Sequence, residues 1–309
     1  MDELLKALLD NDFYKTVWKD EKVIIKTISC LEIKETLDSF IERFINCKTF
    51  PYVNSLYNQL LVNGFDELPK ANKVEIGGII EKYLNDIDTK HWKVFESLSE
   101  KQLIDDYGFS EDEIKSTTKE NLFQSVKGGY YCEMLLSCIL LSLGFEKVVS
   151  KLYFQFGSFS PTGIDVPFVN IESRTVILGE CKIYKNILYA INSCVSDLEK
   201  IVKDDKLNKE FMEWKAKYTS LNENFQEFLS DNSIATFENF VANISNIVVL
   251  GFVLGNKIDI SKLKEIIEKI DRFEVKEKFT LLLITIPIDS KDIFVEKCYK
   301  TLLKIKTDL

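Results

Sequence analysis

The order of elements past residue 121 constrains this chain more than any single motif in it. Asn121 to Leu143 is a long helical stretch ending at Gly144, a residue suited to a left-handed C-cap. Residues 148–156 (VVSKLYFQF) read as a strand. A loop of Gly, Ser, Phe, Ser, Pro, Thr and Gly at 157–163 leads to Asp165 and a second strand through Asn170. Glu172-Ser173-Arg174 fits a tight turn. Thr175 to Ile183 is a third strand, which Val176, Ile177 and Leu178 mark as central. Two helical segments follow, at about 186–203 and 206–230. A fourth strand over Ile244 to Leu254 carries IVVLGFVL, Ser261 to Ile270 is helical, and Phe279 to Ile286 is a fifth strand. Asp292 to Ile305 closes the chain as a helix. Helix, three strands, helices and then strands form a compact α/β layer arrangement.

Residues 1–120 have a different texture and read as a mainly helical region. Leu31 to Phe44 and Tyr52 to Leu61 repeat apolar residues at helical spacing, and Val74 to Tyr83 and Ser99 to Tyr107 are further helices. Ser110 followed by Glu113 has capping-box spacing, and Val23 to Ile28 suits a short strand. We therefore divide the chain into residues 1–120, a regulatory or partner-binding region or simply a solvated one, and a domain over 121–309.

Composition removes several function classes. The single histidine, His91, excludes a multi-histidine metal site and leaves one place for a Ser-His or Cys-His pair. Seven cysteines, odd in number and without a CxxC pair, fit buried free thiols in a reducing compartment. The first residues do not resemble a signal peptide, and no apolar run reaches membrane-spanning length, so a cytoplasmic protein is expected. Of the net charge of -9, residues 1–120 hold -8 and residues 121–309 hold -1. Lysines in the second part can therefore meet a phosphate backbone. With only Arg43, Arg174 and Arg272 against 37 lysines, base-specific reading by arginine is disfavoured. Gly251 and Gly255, in GFVLGNKID, lack the ingredients of a nucleotide-binding loop.

The informative residues are Asp165, Glu180 and Lys182. Two apart on a strand, Glu180 and Lys182 share a face while Cys181 points to the other. If the second and third strands form a hairpin through 172–174, Asp165 lies across from them. Such a group suits phosphodiester hydrolysis. A hard divalent cation, Mg²⁺ or Mn²⁺, is bound by carboxylates, water and phosphate oxygens. A lysine beside it stabilises developing charge or helps to position and deprotonate water. The plainer readings are a surface ion pair for Glu180 and Lys182 and a turn cap for Asp165.

Asp165 followed by Glu180-Cys181-Lys182 resembles the signature of the PD-(D/E)xK, or restriction-endonuclease-like, superfamily. Gly163-Ile164 stands where the signature has its proline. The resemblance implies a core of a mixed central sheet flanked by helices. It also implies that Glu133, in the helix before the first core strand, is an auxiliary acidic ligand; an ordinary wet-side residue or a lysine partner is the alternative. More narrowly, Gly179-Glu180-Cys181-Lys182-Ile183-Tyr184, the Ala190 to Leu198 helix and the late strand Leu282 to Pro287 are similar to the HamA nuclease family of Hachiman anti-phage defence. That resemblance implies a metal-dependent nuclease acting on DNA, with Asp165, Glu180 and Glu133 as metal ligands and Lys182 beside the attacking water. It further implies a helicase partner of the HamB kind. Lys185 is a candidate backbone-phosphate contact and Gln155 a candidate orienting group, each with a plain surface or packing role as the alternative. A stand-alone restriction or repair endonuclease, or a non-catalytic binding subunit of the same fold, are the competing readings.

Overall fold

The computed structural model describes residues 14–19, 23–28, 77–148 (save 79, 82, 83, 108, 143 and 144), 164–255 (save 185, 204, 205, 217–222 and 231–233) and 279–308 (save 289). The helices expected at 31–44, 52–61 and 261–270, most of the strand expected at 148–156, and both Gln155 and Lys185 lie outside these residues. So does part of the helix expected at 74–83.

Seven strands make one mixed sheet: β1 (Tyr14–Lys19), β2 (Val23–Ile28), β3 (Glu146–Lys147), β4 (Val166–Asn170), β5 (Thr175–Ile183), β6 (Asn246–Gly255) and β7 (Phe279–Pro287). Their order across the sheet is β1-β2-β7-β6-β5-β4-β3. Neighbours β2, β7, β6 and β5 run parallel, while β1 and the β4–β3 side are antiparallel. The expected mixed sheet flanked by helices is therefore present. Val23 to Ile28 is a strand as expected; β1 beside it was not foreseen, and the two join the first part of the chain to the sheet.

The central strands are apolar on both faces because both faces are covered. Val176 and Leu178 of β5, Val249 and Val253 of β6, and Leu281 and Leu283 of β7 share one core with α5 (Ile187–Lys203), α6 (Lys206–Ala216), α7 (Glu223–Ser230) and α8 (Phe237–Asn243). The intervening residues, among them Ile177, Cys181, Leu250 and Leu282, are buried on the opposite face, which α4 (Lys119–Ser142) crosses. Each such Val or Leu contributes about 2 kcal/mol relative to an exposed one. Helix α9 (Lys291–Asp308) packs on α4 through an apolar stripe containing Phe294, Cys298 and Leu302.

Ahead of α4 come a π-helical turn, Asp86–His91, and three short helices, α1 (Trp92–Ser97), α2 (Glu100–Tyr107) and α3 (Glu111–Ser116). They enclose a small separate core of Phe95, Leu103, Leu122 and Phe123 against the start of α4. The Ser110 capping box is formed: its hydroxyl accepts the Glu113 N–H at 3.2 Å, and the Glu113 carboxylate accepts the Ser110 N–H at 2.9 Å. This explains why a polar stretch starts a helix there.

Two local devices set the site. The β4–β5 turn is built by Asn170, whose side-chain oxygen accepts the Ser173 N–H at 2.8 Å, and by Arg174 at φ 52°. The Arg174 carbonyl accepts the Ser245 N–H at 2.8 Å, which ties the turn to the entrance of β6. Gly251 and Gly255, both on the α5 face of β6, act by being small. A Cβ at Gly251 would stand 2.8 Å from Cys194 Sγ and 2.8 Å from Leu283, and one at Gly255 2.7 Å from the Ile187 backbone. Helix α5 therefore sits closer to the sheet than side chains would allow.

Candidate active site

The β4–β5 hairpin pairs Val166 with Gly179, so Asp165 emerges at the end of β4 beside Glu180. The Asp165 carboxylate accepts the Cys181 N–H at 2.9 Å, and this bond continues the ladder where strand pairing stops. Asp165 itself is exposed to solvent. Glu180, by contrast, is 2 % exposed in the middle of the sheet. It lies opposite Gly251 and under α5. A buried carboxylate is costly unless other groups compensate it.

Lys182, on the same strand face, supplies a positive charge. Its Nζ lies 3.7 Å from Glu180 Oε2 and 3.0 Å from Asp197 Oδ2. Burial by itself would lower the Lys182 pKa, but the carboxylates of Asp165, Glu180 and Asp197 together raise it above the ordinary lysine range. The side chain is an ammonium ion throughout the neutral range. Asp197 also accepts from Lys200 at 3.0 Å through Oδ1. Burial pushes the Asp197 carboxyl up, and the two lysines outweigh that and hold it below its ordinary value.

Asp197 did not stand out in the sequence, though a signal was present. Helix α5 buries Ile187, Ala190, Ile191, Cys194, Val195, Leu198 and Ile201, and Asp197 falls three residues after Cys194 and four before Ile201. An acid beside that apolar stripe faces the sheet or its rim.

Glu133 has a different setting. It is half-buried on α4, which covers the face towards which Cys181 points. The Cys181 thiol is held well above its usual range by burial first, then by Cys132, Asp165 and Glu133. Asp165 also acts on Lys182 and Cys194 across the sheet. The structure thus brings Asp165, Glu180 and Lys182 together and sets Glu133 in the other layer, with the neighbourhood of Asp165 common to both. Burial holds the Cys181 and Cys194 thiols above their usual range, away from the thiolate form that attacks.

Among the described residues no three His, Cys, Asp or Glu side chains lie close enough to hold a metal by themselves. A cation at this place would rest on two carboxylates, water and phosphate oxygens. That donor set fits Mg²⁺, which keeps several waters and takes one or two carboxylates.

A family model for HamA matches residues 38–302, most of the chain and all of the residues just described. The chain belongs to the HamA family. It is therefore a protein associated with Hachiman anti-phage defence. No curated protein and no solved structure is significantly similar. Among the described residues of this HamA-family chain, no helix is long and apolar enough to cross a membrane.

Proposed function

We propose that this HamA-family chain is a divalent-metal-dependent nuclease that hydrolyses DNA phosphodiester bonds, working as the effector of a helicase–nuclease defence complex. The observation that carries the reading is the meeting of Asp165, buried Glu180 and Lys182 where β4 and β5 part. Burying Glu180 in the central strand costs stability, and a retained cost of this kind commonly marks a chemical role. The order α4, β3, β4, β5, α5, β6 supports the same reading, because it is the helix–three-strand–helix–strand order of the PD-(D/E)xK core.

Asp165 and Glu180 would hold the cation, with Glu133 approaching from the other layer as an outer group. The ion, Mg²⁺ or Mn²⁺, would supply Lewis acidity and a water activated at neutral pH. The chain does the rest. The Cys181 N–H fixes the orientation of the Asp165 carboxylate. The Lys182 ammonium, charged at neutral pH, offsets negative charge developing on the phosphoryl oxygens and orients the attacking water. Scarce arginine points to cleavage with little base preference. A net charge of -9 favours delivery of DNA by a helicase partner over autonomous capture.

The test is cleavage of linear, nicked and supercoiled DNA, with and without Mg²⁺ and with and without the helicase subunit. Asp165→Asn and Lys182→Ala should each lower the rate by about 10²-fold or more while the circular dichroism spectrum stays that of the parent. Parental cleavage by both purified variants would falsify the site. Full activity without the helicase would instead favour a stand-alone endonuclease.

A further inference from the structure

We propose that Asp197 is a positioning residue for Lys182, holding its ammonium clear of the Glu180 carboxylate. The inference rests on the nuclease reading and adds to it a residue outside the Asp165, Glu180 and Lys182 signature.

Lys182 has a choice of partners. At 3.0 Å its ammonium makes a charge-assisted hydrogen bond to Asp197, and at 3.7 Å it stands beyond hydrogen-bond reach of Glu180 Oε2. A lysine stem is long and flexible. Without a fixed anchor on the helix side, the ammonium would fold onto the carboxylate two residues before it. That contact would occupy an oxygen needed by the cation and move the positive charge away from the phosphate.

Asp197 is itself fixed. One carboxylate oxygen takes Lys182 and the other takes Lys200, each at 3.0 Å, so the carboxylate bridges two lysines and its rotation is restricted. Helix α5 is seated by Gly251, the residue paired with Glu180 across the strands, where a Cβ would collide with Cys194. The backbone contact that brings α5 down thus lies directly beside Glu180, three residues of helix away from Asp197. Asp197 touches neither DNA nor cation in this scheme and acts only through Lys182.

The experiment compares the parent full-length chain, Asp197→Asn and Asp197→Glu in Mg²⁺-dependent DNA cleavage with the helicase subunit present. The asparagine variant is isosteric but loses the charge and one of the two acceptor oxygens, since its amide NH2 only donates. Its kcat should fall about tenfold or more, as expected for a displaced catalytic group, with the DNA KM changed less than about twofold. The Mg²⁺ concentration giving half-maximal rate should rise, because Lys182 now competes for Glu180. A role confined to stability would leave that Mg²⁺ dependence unmoved. Asp197→Glu should recover most of kcat. Parental kcat and Mg²⁺ dependence in Asp197→Asn overturn the proposal, and so does Asp197→Glu performing no better than Asp197→Asn. If the parent itself fails to cleave, the nuclease reading falls and takes this role with it. An active parent with an unimpaired Asp197→Asn variant defeats the positioning role alone.

Discussion

Asp197 titrates in a direction that stability measurements can read. Its folded pKa lies below the ordinary 3.8, since Lys182 and Lys200 outweigh the effect of burial. A carboxyl depressed in this way stabilises the fold fully above its unfolded value and loses that contribution as pH falls through the folded value. The melting temperature of the parent should therefore exceed that of Asp197→Asn by a constant margin above about pH 5, and the margin should shrink below about pH 4. Differential scanning calorimetry in chelator across that range is the check; a margin that grows in acid would contradict the pairing. Arg174 offers a second residue-scale test. It holds φ 52° in an exposed turn, a conformation glycine adopts without penalty. Arg174→Gly should stabilise the chain by up to about 1 kcal/mol, the left-handed cost less the glycine entropy, as read by urea denaturation. At this scale much was legible in the sequence. Strand period fixes Glu180 and Lys182 on one face, and the hairpin length fixes Asp165 across from them. Asp197 was legible only as an acid beside the apolar stripe of α5; its reach to Lys182 depends on how closely the helix docks, and helical spacing does not report distance.

Among the elements, α5 is the one on which the site depends. The pair Gly251 and Gly255 was readable as something other than a nucleotide loop, but nothing in GFVLGNKID signals that their smallness admits a helix. Gly251→Ala would push a methyl group into Cys194 Sγ and Leu283 at 2.8 Å. The expected cost is about 1–3 kcal/mol of stability in denaturant unfolding. Cleavage should fall further than the unfolded fraction explains, because lifting α5 also lifts Asp197 from Lys182. Activity that merely tracks the folded fraction would show that the helix tolerates the shift. Elements with clear periodicity or caps were anticipated to within a few residues, among them α2, α4, α5, β5, β6, β7 and α9. Within the helical segment expected over 206–230, α6 covers Lys206–Ala216 and α7 covers Glu223–Ser230, with 217–222 outside the described residues; α8 after Thr236 was not foreseen. Short helices carry too few turns for a period to emerge.

At the scale of the molecule, the division of charge and the division of structure do not coincide. The acidic first part contributes β2, which runs parallel along β7 from Val23↔Leu281 to Thr27↔Thr285, so the sheet crosses the boundary drawn at residue 120. An apolar strand such as β7, stripped of that cover, becomes an edge on which other chains can pair. Deletion of residues 1–28 should yield protein that self-associates, seen as early elution in size-exclusion chromatography, where the full chain elutes as a smaller species. A deletion variant with the parent's elution volume would show that β7 tolerates exposure.

The parallel pairing of β5 with β6 also bears on how a cell makes such a chain. Glu180 and Lys182 leave the ribosome in a local hairpin with Asp165, but the strand that flanks β5 on its other side begins only at Asn246. Until that segment is synthesised, α5 lacks the glycine seat on which it rests, and Lys182 lacks its docked anchor. Non-local pairings of this kind form late. A ribosome-stalled chain ending near residue 240 should be cut by protease within 187–203, a stretch that the full-length protein should protect because its apolar face is buried on the sheet. Synthesis order would thus keep the proposed nuclease centre incomplete while the polypeptide is still tethered.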